Sequence, residues 1–135
     1  MRQAAAKQGD RIIAKDTHEV MVASGAGEVV RQQTHNFSGP LQQSLSTTVF
    51  IQGKPAAVVG SVGINTPRHS VLSPASRFRK TPSNQGTVLA GSRTVRVNGQ
   101  PLARAGDICK TCNDPSDQPI GKIQTTGTAT VFAGG

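Results

Sequence analysis

The chain of 135 residues carries three histidines, His18, His35 and His69, and two cysteines, Cys109 and Cys112. Imidazole nitrogen and thiolate sulfur are common donors for tetrahedral zinc, and a closed four-ligand site of that kind is structural rather than catalytic. The same donors suit zinc better than magnesium or calcium. Taken singly the signals are weak. A histidine in a polar loop is ordinarily just that, and Cys109-Lys110-Thr111-Cys112 is a lone Cys-x-x-Cys with no second pair after it. A metal site therefore needs some device that brings these side chains to one point.

An internal repeat supplies the device. Thr47 to Ser61 reads TTVFIQGKPAAVVGS, and Arg93 to Asp107 reads RTVRVNGQPLARAGD. Gly53 and Gly99, Pro55 and Pro101, and Gly60 and Gly106 are each 46 residues apart. A constant offset of this kind marks a repeated structural unit. Each copy has β-branched or alternating residues, then Gly-x-Pro, then a short apolar stretch ending at Gly, which predicts a strand, a turn and a returning strand. A third copy emerges when the ends are joined. TATVFAGG at the C-terminus supplies the outgoing strand, and MRQAAAKQGD at the N-terminus supplies the return. The expected architecture is all-β with approximate three-fold symmetry, the termini closing the third repeat.

The histidines follow the same measure. His18 lies eight residues after Asp10, and His69 lies eight after Ser61. In the remaining copy Asp107 is followed by Cys109 and Cys112. An approximate three-fold axis would draw His18, His69 and one cysteine together, with His35 and the other cysteine as candidates for a fourth place. Metal binding would offset a thin core, because metal-binding free energy becomes folding free energy.

The core is thin by composition. Apolar residues make up 35% and aromatics 3%, with four Phe and no Trp or Tyr. Aromatic side chains supply much of the buried area per residue, so a small β protein of this composition calls for a metal or a partner. Gly 15 and Pro 8 indicate many turns. The length fits a single domain over 1–135. Between the corners, residues 14–46 and 62–91 read as loops with short strands such as Glu19 to Val22. Segment 76–86 is polar and basic, and is expected to be mobile.

Other chemistries are poorly supported. Asp10 and Asp107 are turn acceptors following Gly. The remaining acidic residues, Asp16, Glu19, Glu28, Asp114 and Asp117, form no evident acid–base pair. No strand–elbow–helix context places a nucleophile, and no phosphate-binding glycine loop occurs. The expectation is a protein that is not an enzyme. A net charge of +8 and a pI near 10.6 leave a small basic domain that binds nucleic acid as the alternative. That alternative lacks the stacking aromatics or recognition helix such modules use, so no nucleic acid is expected. The N-terminus has no apolar stretch of signal-peptide length, and no segment approaches a membrane span. Synthesis in the cytoplasm and reduced thiols follow as expectations.

GKPAAVVG and GQPLARAGD resemble the proline–alanine–alanine–arginine corners of the PAAR-repeat family. DTHEVM, THNFSGPLQQSLS, GSVGINTPRHS and KTCNDP resemble a subgroup of that family associated with contractile injection systems, such as type VI secretion or phage-tail-like particles. The likeness covers essentially the whole chain. It departs at PAAVVGS and AAAKQGD, which removes any general role for the motif arginine while leaving the corner geometry. The resemblance implies a small cone of short β-hairpins that caps a trimeric β-helical spike of the valine–glycine-repeat type, one chain per trimer. It further implies one structural zinc near the apex, held by His18, His35, His69 and Cys112, with Cys109 the alternative to His35. Implied too are delivery outside the cell as part of the particle, transient contact with a target membrane during puncturing, and effector cargo in some members.

Overall fold

The structure, a computed structural model, describes residues 2–135, and among these every regular element is a β-strand. In chain order the strands are β1 (Gln3–Ala4), β2 (Arg11–Ser24), β3 (Gly27–Gln43), β4 (Phe50–Ile51), β5 (Lys54–Pro55), β6 (Val62–Ile64), β7 (Ala75–Phe78), β8 (Gln85–Val88), β9 (Arg96–Val97), β10 (Gln100–Pro101), β11 (Ile108–Thr111), β12 (Gln118–Gln124) and β13 (Phe132–Ala133).

The repeated corners are two-residue hairpins. Gln52 and Gly53 have φ of 51° and 80°, and Asn98 and Gly99 have 52° and 81°. Two consecutive positive φ values give the turn whose twist matches a tight antiparallel pair. β4 pairs with β5 and β9 with β10 across these turns. The third corner forms between the ends of the chain. β1 pairs with β13, with Gln3 opposite Ala133 and Ala4 opposite Phe132. Met1, which opens the expected return strand, lies outside the described residues.

Beyond each hairpin the chain makes a second turn, and here the three copies match atom for atom. Lys7 N donates to Asp10 Oδ2 (3.0 Å), Val58 N to Ser61 Oγ (3.0 Å) and Arg104 N to Asp107 Oδ2 (2.8 Å). In return the amides of Asp10, Ser61 and Asp107 donate to the carbonyls of Lys7, Val58 and Arg104. Serine thus replaces aspartate without loss of the turn, because only a side-chain oxygen is required. At the centre, Ala6 N donates to Ala103 O, Ala103 N to Ala57 O, and Ala57 N to Ala6 O, all at 2.9–3.0 Å. This closed triangle is the three-fold axis of the base. Alanine occupies its three corners, all fully buried. Ala5, Ile51, Ala56, Val58, Val97, Leu102 and Ala133 pack around it as a basal core.

Each corner then feeds one strand of a closed ring. β2, β6 and β11 leave the corners, and β3, β8 and β12 return beside them. The pairings β2–β3, β3–β6, β6–β8, β8–β11, β11–β12 and β12–β2 are all antiparallel and complete a six-stranded barrel. Its bore is narrow. A Cβ on Gly63 would stand 2.7 Å from the Gly39 carbonyl, and Gly63, Gly86 and Gly121 all abut Ile12. Those glycines leave the space that Ile12 and Phe37 fill, with Leu41, Val88, Cys109 and Ile123 completing the core.

Two expectations need correction. Residues 14–46 are largely one long hairpin of 14 and 17 residues, rather than loops with short strands. The reason is that β2 alternates strictly, with Ile12, Ala14, Asp16, His18 and Val20 turned inward, so two of its three inward residues beyond Ala14 are polar and the apolar period is concealed. Segment 76–86, expected to be mobile, is held at both ends. β7 pairs with the outer part of β2, setting Phe78 opposite Val20, and Arg77 bonds Glu28 at 2.8 Å. At the other end Asn84 is buried and β8 joins the ring.

Candidate metal centre

Strand alternation sets the first side chains of the centre. On β2, Asp16 and His18 occupy successive inward positions above Ile12 and Ala14. On β3, His35 lies inward two residues before Phe37. His69 comes from the loop after β6, where Asn84 Oδ1 accepts its backbone amide at 2.8 Å and Asn65 Nδ2 lies 3.2 Å from its Nδ1. Cys112 follows β11. The next residues fasten that turn to β2: Asn113 Oδ1 accepts Thr17 N at 2.8 Å, and Asp114 Oδ2 accepts Glu19 N at 2.8 Å.

Asp16, His18, His69 and Cys112 place one donor atom each within 4.8 Å of one another. Asp16 Oδ2 receives His69 Nε2 at 2.9 Å and Cys112 Sγ at 3.4 Å, while Thr111 Oγ1 donates to Asp16 Oδ1 at 2.7 Å. His35 stands against the group, its ring 5.1 Å from that of His69 and 5.9 Å from that of His18, with Nε2 3.2 Å from Gln33 Oε1. Phe78 closes one side, 5.9 Å from His18 and 5.4 Å from His35. An open cleft of about 370 Å³ lies on the other side, lined by His35, Asn65, Thr66, Arg68, His69 and Leu72 among others.

The electrostatics are those of a crowded, dry site. Burial works to raise the Asp16 carboxyl, but His18, His69, Thr111 and Cys112 together outweigh it and bring it down to about 2. Burial, and then the Asp16 charge, push the Cys112 thiol up to about 12. Burial and the neighbouring His69 and His18 lower His35. His18 is the diagnostic residue. Its ring is 1% exposed, and neither nitrogen has a hydrogen-bond partner. Carboxylate oxygens of Asp16 and Asp114 lie 3.9 and 3.4 Å from its two nitrogens, near but without hydrogen-bond geometry. Orphaned buried nitrogens are rare and costly, and a ring backed by a carboxylate on one nitrogen is the usual setting of a metal-ligating histidine. Imidazoles and a thiol converging on one point fit a zinc ion.

The repeat therefore brings His18, His69 and Cys112 together, with His35 alongside. Cys109, the alternative donor, is not part of the group. It faces the barrel core, is fully buried and donates to the Asp107 carbonyl at 3.7 Å. Burial, and then Asp107, push its thiol up to about 12. Sequence reasoning missed Asp16, which had been set aside as one of several scattered acids. Its place two residues before His18, on the same face of an alternating strand, is the signal that could have found it.

Residues 80–135 match the PAAR motif family. The match holds β8 to β13, the corner at Asn98-Gly99, and Cys112. The three histidines and the corner at Gln52-Gly53 lie before it, and the alanine triangle and closed ring join them to the matched residues in one structure. No curated protein and no solved structure matches the chain.

Proposed function

We propose that the protein is the tip of the spike of a contractile injection system, a structural part rather than an enzyme. The observation that carries this reading is the alanine triangle with its three equivalent turns. A single chain thereby presents a nearly three-fold base, which a trimeric β-helical spike of the valine–glycine-repeat type can receive. The PAAR motif over residues 80–135 supports the same reading.

At the opposite end, His18, His69 and Cys112, with Asp16 and His35 beside them, would hold one structural zinc. Bound there, the ion cross-links β2, the loop after β6 and the turn after β11, three segments far apart in sequence. The chain's own part is to orient the donors: Asp114 backs His18, Asn65 and Asn84 fix His69, and Asn113 ties the Cys112 turn to β2. Such a tip would be made in the cytoplasm and leave the cell with the particle, meeting the target membrane during puncturing. Among the described residues no helix is long and apolar enough to cross a membrane.

Native mass spectrometry of the protein mixed with a trimeric spike tests the reading. One chain per trimer is expected. Three chains per trimer, or no complex, would overturn it.

A further inference from the structure

We propose that one side of the barrel wall, the outer face of β11, β12 and β2, is a docking surface for the anionic headgroups of a lipid bilayer. The face lies between the base and the metal centre and uses no residue of either.

The wall is two-sided in charge. β11, β12 and β2 are neighbours in the ring, with Ile108 opposite Lys122 and Lys122 opposite Ile13. Alternation turns Arg11, Lys15, Lys110 and Lys122 outward on these strands, together with Ile13 and Ile120. On the other half of the ring, the outward positions of β3 from Asn36 to Pro40, of β6 and of β8 carry no charged residue.

The acidic residues are committed elsewhere. Of the seven, Asp10, Asp16 and Asp107 are buried, and Asp114 faces His18. Glu19 and Glu28 pair with Arg79 and Arg77. That leaves Asp117, exposed in the turn between β11 and β12, to set against four cations. Among the described residues Lys15, Lys110 and Lys122 have no ion-pair partner, and Arg11 donates only to Ser38.

Residue type selects the partner. Protein–protein interfaces are depleted in lysine and favour arginine and aromatic side chains, and single-stranded nucleic acid is held by aromatic stacking. This face has three lysines, one arginine and no aromatic residue. A bilayer surface suits it better. Lysine stems lie along apolar neighbours while their ammonium heads reach outward, and Lys122 stands directly opposite Ile13. Ile13 and Ile120 are 37% and 45% exposed, apolar surface that the boundary between headgroups and acyl chains can receive.

Sedimentation of the full chain with lipid vesicles tests the proposal. Binding is expected to vesicles of phosphatidylglycerol and phosphatidylcholine in equal parts, and not to phosphatidylcholine alone. Equal binding to both, or binding to neither, would overturn it. A lysine near an anionic surface contributes about fivefold to partitioning, so Lys15→Gln, Lys110→Gln and Lys122→Gln combined should lose roughly 100-fold. The same number of charges removed from other surfaces, by Arg31→Gln, Lys54→Gln and Arg68→Gln, should lose less than about tenfold. Equal losses in the two triple variants would assign the binding to net charge and overturn the face. Tighter binding to duplex DNA or to polyglutamate than to the anionic vesicles, at matched charge, would overturn the lipid in favour of nucleic acid or an acidic protein.

Discussion

The base and the apex of this molecule solve different problems with the same strands. At the base one local solution is written three times, and the copies agree down to the hydrogen bonds of Lys7–Asp10, Val58–Ser61 and Arg104–Asp107. At the apex the symmetry is abandoned. β2 and β3 run 14 and 17 residues while β6 and β8 run 3 and 4, and the three outgoing strands lead to His18, His69 and Cys112. Backbone turns can be repeated because any suitable side-chain oxygen completes them. The apex instead gathers two imidazoles, a thiol and a carboxylate at one point, from segments of different length. The difference teaches that the three-fold frame belongs to the backbone, whereas the chemistry belongs to departures from it.

The largest expected effect concerns the apex alone. Stripping zinc with a strong chelator should lower stability by about 4 kcal/mol where free zinc had stood near a thousand times its Kd, a fall of roughly 12–20 °C in Tm for a domain of this size. Scanning calorimetry with and without chelator checks it, and unchanged melting would remove the pinned apex.

Next comes a contrast within the base. Asp10→Ala and Asp107→Ala each leave a buried cation, Lys7 or Arg104, without its carboxylate, at a cost of about 3 kcal/mol. Ser61→Ala removes only neutral hydrogen bonds, to Val58 N and Ser44 O, and should cost about 1 kcal/mol. Urea unfolding ranks them. Equal losses at all three would mean that the shared turn hydrogen bonds, rather than the ion pairs, carry the stabilisation.

The smallest effect separates the two thiols. Cys109 has its pKa raised from 9.0 to about 12. Its contribution to stability is therefore complete below pH 9 and is lost as pH climbs through about 12. In the zinc-loaded protein, stability measured from pH 8 to 11 should bend downward above pH 9, and Cys109→Ala should flatten that bend. A bend that persists in the variant would assign it elsewhere.

The corners were legible because each of them demands particular residues at fixed places: positive φ at Gly53 and Gly99, and a side-chain acceptor after Gly9, Gly60 and Gly106. Even the corner divided between the two ends was legible, since a repeat of constant offset exposes the missing half. The long hairpin was not. Its inward positions carry Asp16, His18 and His35, so the residues that make the site are the ones that break the apolar rhythm by which a strand is recognised. Asp16 was obscured by the same fact. A carboxylate at a core position looks like a surface acid until the alternation of β2 is known. Segment 76–86 misled through its charge, because Arg77 and Arg79 are paired across to Glu28 and Glu19.

The closed ring has a mechanical consequence. An open sheet fails by peeling, one hydrogen bond at a time from its free edge, under modest force. In the ring of β2, β3, β6, β8, β11 and β12 no strand has a free edge along the paired region, so an axial thrust must shear several ladders together, and resistance grows with the number of bonds loaded in parallel. β7 is attached outside the ring, to β2 alone, and can be unzipped by itself. Under rising load it should be the first element to give way.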